Sequence, residues 1–213
     1  MTPITISDLN SKALKYVGTV PEEGLAQLEC LKSVGLQPNH HLLEIGCGAL
    51  IAGIPIMGYL DVSHYTGIEP NRWLVEETAN VPENLKIIID RQPKFLDNEK
   101  FDSSVLDIKY DYIIAHSILS HTSKEQVQLF LKNCSKVLAF TGTLLFSCIL
   151  TKNGEPETIE NEWVYPGSVF VNEVFLVEHI KKYFKYVEKR DDMKQLILAS
   201  HSSSCHDWFL VRH

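Results

Sequence analysis

The sequence has no block of basic residues, no paired cysteines and no long apolar run, and each absence removes a class of function. Asp and Glu outnumber Lys and Arg by 27 to 20, for a formal net charge of -7. No Lys/Arg cluster concentrates the positive potential that holds a phosphate backbone by counterion release, so nucleic acid is not an expected partner. The five cysteines (Cys30, Cys47, Cys134, Cys148, Cys205) are odd in number and scattered, without the spacing of a disulfide framework or a zinc site, which implies a reducing cytosol. The first residues, MTPITISDLNSK, lack the basic start and apolar run of a secretory signal, and no segment reaches the length of a membrane span. The expectation is a cytoplasmic protein without membrane contact. No pair among the nine histidines has helical i, i+4 spacing with a carboxylate, so no metal is expected, and His201 and His206 read as flanking a polar surface loop.

What is present is a chain of 213 residues, 45% hydrophobic, enough to bury a sizeable core as a single domain over 1–213, as a monomer or homodimer. Short apolar runs alternate with helical periodicities. Strands are expected over 41–45, 65–69, 85–89, 110–115 and 143–149, and two more over 186–192 and 207–212. Between the fourth and fifth, Ser123 can cap a helix with Gln126 closing the box, and Val127, Phe130, Leu131, Cys134 and Val137 repeat on one face. A helix starting near Asn172 precedes the last two strands, with 193–205 reading partly as strand and then loop. With no helix between them, those two strands should be antiparallel. Two amphipathic helices, over 9–16 and 23–34, precede the sheet; within 1–38 they would lie over the ligand crevice, or merely cover a sheet edge, and a polar loop is expected over 152–162. The fold class is α/β: a Rossmann-like three-layer sandwich whose seven-stranded, mostly parallel sheet ends in an antiparallel seventh strand.

The segment HLLEIGCGAL runs a buried strand into a tight turn at Gly46 and Gly48, followed by a helix over 52–60 whose free N–H groups point into the crevice. Twenty-one residues past Gly48, Glu69 ends the next strand, where an acid would accept hydrogen bonds from both hydroxyls of a ribose. The alternative for Glu69 is a carboxylate at the start of a helix capped by Asn71. Ile51 occupies the third-glycine position of the dinucleotide fingerprint, and its bulk argues for a ligand with one ribose and no pyrophosphate.

The E-x-G-x-G turn, Glu69 at the second strand and the antiparallel seventh strand resemble class I S-adenosylmethionine-dependent methyltransferases over roughly 42–212. The segments GIEPNRWLVEE and AHSILSHTS resemble small stand-alone bacterial members. The resemblance implies S-adenosyl-L-methionine as cofactor, with Glu44, Gly46, Cys47 and Gly48 around its methionine portion and Glu69, followed by Pro70, at the ribose. It also implies an acidic or polar residue after the third strand at the adenine. Asp90, Asp97 and Asp102 are candidates, with Phe101 and Asp102 preferred. His116 and Ser117, after the fourth strand, would lie at the cofactor, Ser117 towards the methionine portion.

An in-line displacement at a sulfonium methyl requires positioning in a dry pocket, and a base only if the acceptor is protonated. His121 is the candidate base; the alternative is that His121 or His116 only bonds backbone or caps a helix. Trp163 and Tyr165 read as an acceptor-facing lid or as an aromatic plug on the sheet. The expected activity is methyl transfer to an oxygen, less favourably a nitrogen, of a small metabolite or peptide, because AHSI replaces an Asn-Pro-Pro-Tyr motif. A nicotinamide oxidoreductase and a non-catalytic cofactor-binding module are the alternatives from other classes.

Overall fold

The computed structural model describes residues 12–18, 20–152, 163–200 and 205–213. The order of elements is α1 (Lys12–Val17), α2 (Pro21–Ser33), β1 (Leu42–Ile45), α3 (Gly53–Tyr59), β2 (Tyr65–Ile68), α4 (Arg72–Ala79), α5 (Pro82–Arg91), β3 (Lys94–Leu96), β4 (Tyr110–Ala115), α6 (Lys124–Val137), β5 (Leu138–Cys148), α7 (Glu173–Ile180), β6 (Tyr186–Lys189), α8 (Asp191–Ala199) and β7 (Asp207–Arg212). The seven strands run in the order β3-β2-β1-β4-β5-β7-β6. β7 is antiparallel to both β5 and β6, whereas β1–β2, β2–β3 and β4–β5 pair in parallel, as the sequence leads one to expect. The chain forms two compact units, one of residues 1–99 and 195–204, the other of 100–194 and 205–213.

In the first unit β1 is buried along its whole length and pairs with β2 so that Ile45 lies opposite Ile68, which brings the carboxyl ends of both strands to one edge. The two leading helices pack here. The Ala13 N–H donates to Glu77 of α4 at 2.9 Å, and Tyr16 meets Trp73 edge to face at 5.3 Å. α2 crosses the turn after β1 so closely that a Cβ on Gly24 would lie 1.9 Å from the Ile51 carbonyl oxygen. Gly24 is therefore needed for close approach and not for an unusual φ. The start of the first helix, 9–11, lies outside the described residues, as do the 153–162 part of the expected polar loop and His201.

Two expected strands are helices. Residues 85–89 belong to α5: Pro82 supplies a pre-set φ and a dispensable N–H at the first turn, Lys86 and Asp90 pair at 3.2 Å, and Gln92 ends the helix in the left-handed region at φ 50°. The isoleucine run looked like a buried strand, yet Leu85 and Ile89 are exposed. The third strand is instead β3, three residues that pair with Thr66–Ile68 of β2. Likewise 196–199 lies in α8, which Asp191 and Asp192 open with acid at the positive end of the helix, so a helix does separate the last two strands. Their antiparallel pairing survives because the connection is long enough to return in either direction.

In the second unit α6 begins with the expected capping box: the Gln126 N–H donates to Ser123 Oγ at 3.2 Å and the Ser123 N–H to Gln126 Oε1 at 2.8 Å. All five expected apolar positions of α6 are buried. Asn172 caps α7 through the Phe175 N–H at 3.1 Å. β5 and β7 meet with Cys148 opposite Asp207, so the end of β5 and the beginning of β7 share an edge.

Gly24→Ala should destabilise the protein by about 1–3 kcal/mol or more, because a backbone carbonyl has to move for one methyl group. Urea unfolding checks this, and a midpoint equal to the parent's would refute the close approach.

Candidate active site

After Ile45 the chain turns through Gly46 (φ 73°) and Gly48 (φ 50°), in a region that side chains rarely adopt. The Gly46 and Cys47 N–H groups both donate to the Ile68 carbonyl, at 2.8 and 3.1 Å, and pin the turn to the end of β2. Glu69 completes the clamp: Oε2 accepts the Gly48 N–H at 3.0 Å and Oε1 accepts the Asn71 N–H at 2.8 Å. Glu69 is 8% exposed, so it is not a solvated helix-start carboxylate. The Asn71 side chain makes no capping bond, contrary to expectation, and the bond at this helix start is instead from the Asn71 N–H to the Glu69 carboxylate. Each carboxylate oxygen can accept a second hydrogen bond. Val17 of α1 comes against this turn, 3.3 Å from where a Cβ on Gly48 would stand. Pro70 is exposed beside Glu69.

Glu44 points into the core and accepts the Tyr65 hydroxyl at 2.5 Å. Burial pushes its carboxyl up to about 8, against an opposing pull from the Tyr65 bond and a further push from the Glu69 charge. Burial also raises the Cys47 thiol and the Tyr65 phenol, so the group beneath the turn stays uncharged at neutral pH. Of the residues expected after the third strand, Asp97 directly follows β3, and the neighbouring Leu96 carbonyl accepts the Glu69 N–H at 3.0 Å. Asp90 pairs with Lys86 on α5.

In the second unit β4 ends at Ala115, and His116 and Ser117 follow. Ser117 is held at φ 60°. Its N–H donates to Ser147 Oγ at 2.9 Å, and the same oxygen meets His116 Nδ1 at 2.8 Å. The His116 ring lies flat on Trp208, with centroids 5.0 Å apart. The Ser117 hydroxyl faces His206 Nε2 at 3.2 Å and Ser120 Oγ at 3.3 Å. His206, expected to flank a polar loop, faces this cluster from the residue before β7. Ser120, Ser147, His206 and Trp208 carry no local motif: His206 is 89 positions from Ser117, and only pairing of β5 with β7 brings them together.

His121 Nδ1 faces the Gly167 carbonyl at 2.6 Å and the Val164 carbonyl at 3.1 Å, which fixes a hydrogen on Nδ1 and leaves the lone pair of the neutral ring on Nε2. Its ring meets Tyr165 edge to face at 5.0 Å and Trp163 at 6.2 Å. The 163–169 segment is tied to this turn by Val164 N–H to His121 O at 2.9 Å and Val169 N–H to Ser120 O at 2.7 Å. The structure therefore gathers His121, Trp163 and Tyr165. Phe101 is buried edge-on against Phe130, and Asp102 accepts the Ser104 N–H at 2.9 Å; that bonding to Ser104 lowers its carboxyl. Among the described residues no three His, Cys, Asp or Glu side chains form a metal-binding group.

Because Glu44 titrates near 8 when folded and near 4.5 when unfolded, its contribution to stability is complete below pH 4.5 and is lost as pH rises through 8. Glu44→Gln should flatten that part of the pH–stability curve. Urea midpoints at several values between pH 5 and 8 test this, and parallel curves for parent and variant would show that Glu44 ionises normally in the fold.

Residues 43–144 match a family model described as methyltransferase domain. The fold is similar to that of magnesium protoporphyrin IX methyltransferase from Synechocystis PCC 6803 with bound SAH, at TM-score 0.63 and 15% identity, covering 99% of this chain and 91% of that one. It is similar to an S-adenosylmethionine-dependent methyltransferase from Clostridium acetobutylicum ATCC 824, at TM-score 0.64 and 11% identity, covering 93% and 94%. It is also similar to an O-methyltransferase family protein from Burkholderia thailandensis, at TM-score 0.60 and 10% identity, covering 89% of this chain and 56% of that one. The matched segment runs from β1 into β5, so the chain is similar there to a methyltransferase domain, and its fold is similar to that of S-adenosylmethionine-dependent methyltransferases.

Proposed function

We propose that the protein moves the methyl group of S-adenosylmethionine to an oxygen, foremost a hydroxyl, of a small metabolite or peptide. The observation that carries the choice of acceptor is His121, whose Nδ1 is committed to two carbonyls so that Nε2 is the basic atom. A hydroxyl must lose its proton as the new bond forms, and an imidazole oriented with its lone pair on Nε2 can accept it. Trp163 and Tyr165 beside His121 supply apolar surface for the acceptor and exclude water. The name of the Burkholderia relative, an O-methyltransferase family protein, agrees with an oxygen acceptor.

On this reading the bare backbone at Gly46, Cys47 and Gly48 lies along the methionyl portion of the cofactor, with Ser117 and His116 also towards that portion. Glu44 supports the turn from below, and Glu69 receives the ribose hydroxyls on the lone pairs that its two amide bonds leave over. The adenine contact passes from Phe101 and Asp102 to Asp97, which follows the true third strand while Asp102 is engaged by Ser104. The cofactor, when bound, supplies a methyl group on a sulfonium that departs as a neutral thioether. His121 takes the acceptor's proton on Nε2 and later returns it to water.

Glu69→Ala should weaken S-adenosylhomocysteine binding by about 1.5–3 kcal/mol, the scale of hydrogen bonds to a charged group; calorimetry reads this, and unchanged affinity would move the ribose elsewhere. His121→Ala should slow methyl transfer from labelled donor about 10²-fold across a panel of hydroxyl acceptors. Full activity in that variant, or labelling confined to carboxylate acceptors, would refute its role as base.

A further inference from the structure

After β4 the hydroxyls of Ser117 and Ser120 meet the His206 ring. Ser120 has one hydroxyl hydrogen, and it goes to the Ser117 carbonyl at 2.9 Å. Ser120 Oγ can therefore only accept in its 3.2 Å contact with His206, which places a hydrogen on His206 Nε2. That N–H points at the Ser117 and Ser120 oxygens together, both at 3.2 Å. Since Nε2 is a donor, it does not consume the Ser117 hydroxyl hydrogen, whose remaining partner is Ser120 Oγ at a long 3.3 Å. Trp208 Nε1 is buried without a partner among the described residues, and Trp208 is 1% exposed. The nearest acid in sequence, Asp207, is already held by Lys189 at 3.3 Å and Lys194 at 3.1 Å. Ser117 is kept at φ 60°, a conformation that persists where neighbouring contacts enforce it and that gathers at ligand sites.

We infer that His206 is a positioning residue that turns the Ser117 hydroxyl hydrogen outward, to bind the carboxylate at the amino-acid end of the cofactor. The inference rests on the reading that Ser117 faces the methionyl portion. A hydroxyl that offers a hydrogen selects the carboxylate of that portion over its ammonium, and the N–H of His206 on the same oxygen strengthens the hydrogen it offers. His206 acts through Ser117 and touches no reacting atom.

The test compares two ligands by calorimetry: S-adenosylhomocysteine, and 5′-methylthioadenosine, which lacks the amino-acid end. His206→Phe keeps an aromatic ring without the N–H and should weaken S-adenosylhomocysteine about tenfold while leaving 5′-methylthioadenosine unchanged, the scale of one hydrogen bond to a charged group. His206→Gln restores an N–H at about the same reach and should bring the affinity back to within about threefold of the parent. Ser117→Gly should lose as much as His206→Phe, and the double variant no more than either single one. Equal losses for both ligands, additive losses, or none would overturn the inference while the assignment of the cofactor stands. A parent protein that binds neither ligand would overturn both.

Discussion

The Glu69 carboxylate is the constraint on which the first unit's strand-end geometry depends. One oxygen holds the Gly48 amide and the other the Asn71 amide, so one side chain ties the turn after β1 to the start of α4. A carboxylate between two amide donors is among the stronger protein hydrogen-bonding arrangements, and its burial keeps water from competing. The turn is fixed from the other side by the Ile68 carbonyl, which accepts from Gly46 and Cys47. A backbone so held needs little reordering when a ligand arrives, which is where preorganisation adds to affinity.

Beneath the same turn Glu44, Tyr65 and Cys47 form a buried set that burial keeps protonated. The acids of β1 and of the residue after β2 differ in their surroundings. Glu69 receives two backbone amides, whereas Glu44 has a single phenol and full desolvation. The first suits a surface offered to hydroxyl groups; the second suits a support that carries no charge into the core.

In the second unit the ends of β4 and β5 and the beginning of β7 gather three imidazoles with distinct bonding. His116 is stacked on Trp208 and bonded to Ser147, His206 is directed at two serine hydroxyls, and His121 is anchored through Nδ1 by the 163–169 segment. His121 has its orientation set by two backbone carbonyls, the arrangement that leaves a defined lone pair for proton transfer. The reversed direction of β7 is what makes the His206 arrangement possible, because it starts that strand at the edge where β5 ends.

The glycine turn, the acid at the end of β2, the capping box of α6 and its buried face were all legible in the sequence, because each is a local pattern with a local cause. Strand identity at 85–89 and 196–199 was not, since apolar runs of that length suit a strand or a helix, and Pro82 and the Asp191–Asp192 pair decided for helix. The sequence by itself determined a largely parallel α/β sheet and the residues of the β1–β2 clamp, because spacing along the chain specifies turns, caps and faces. Tertiary structure alone decided that Gly24 must lack a side chain, that Glu44 retains its proton and that His206 meets Ser117. Those properties depend on what packs around a residue from distant parts of the chain, which no local spacing encodes.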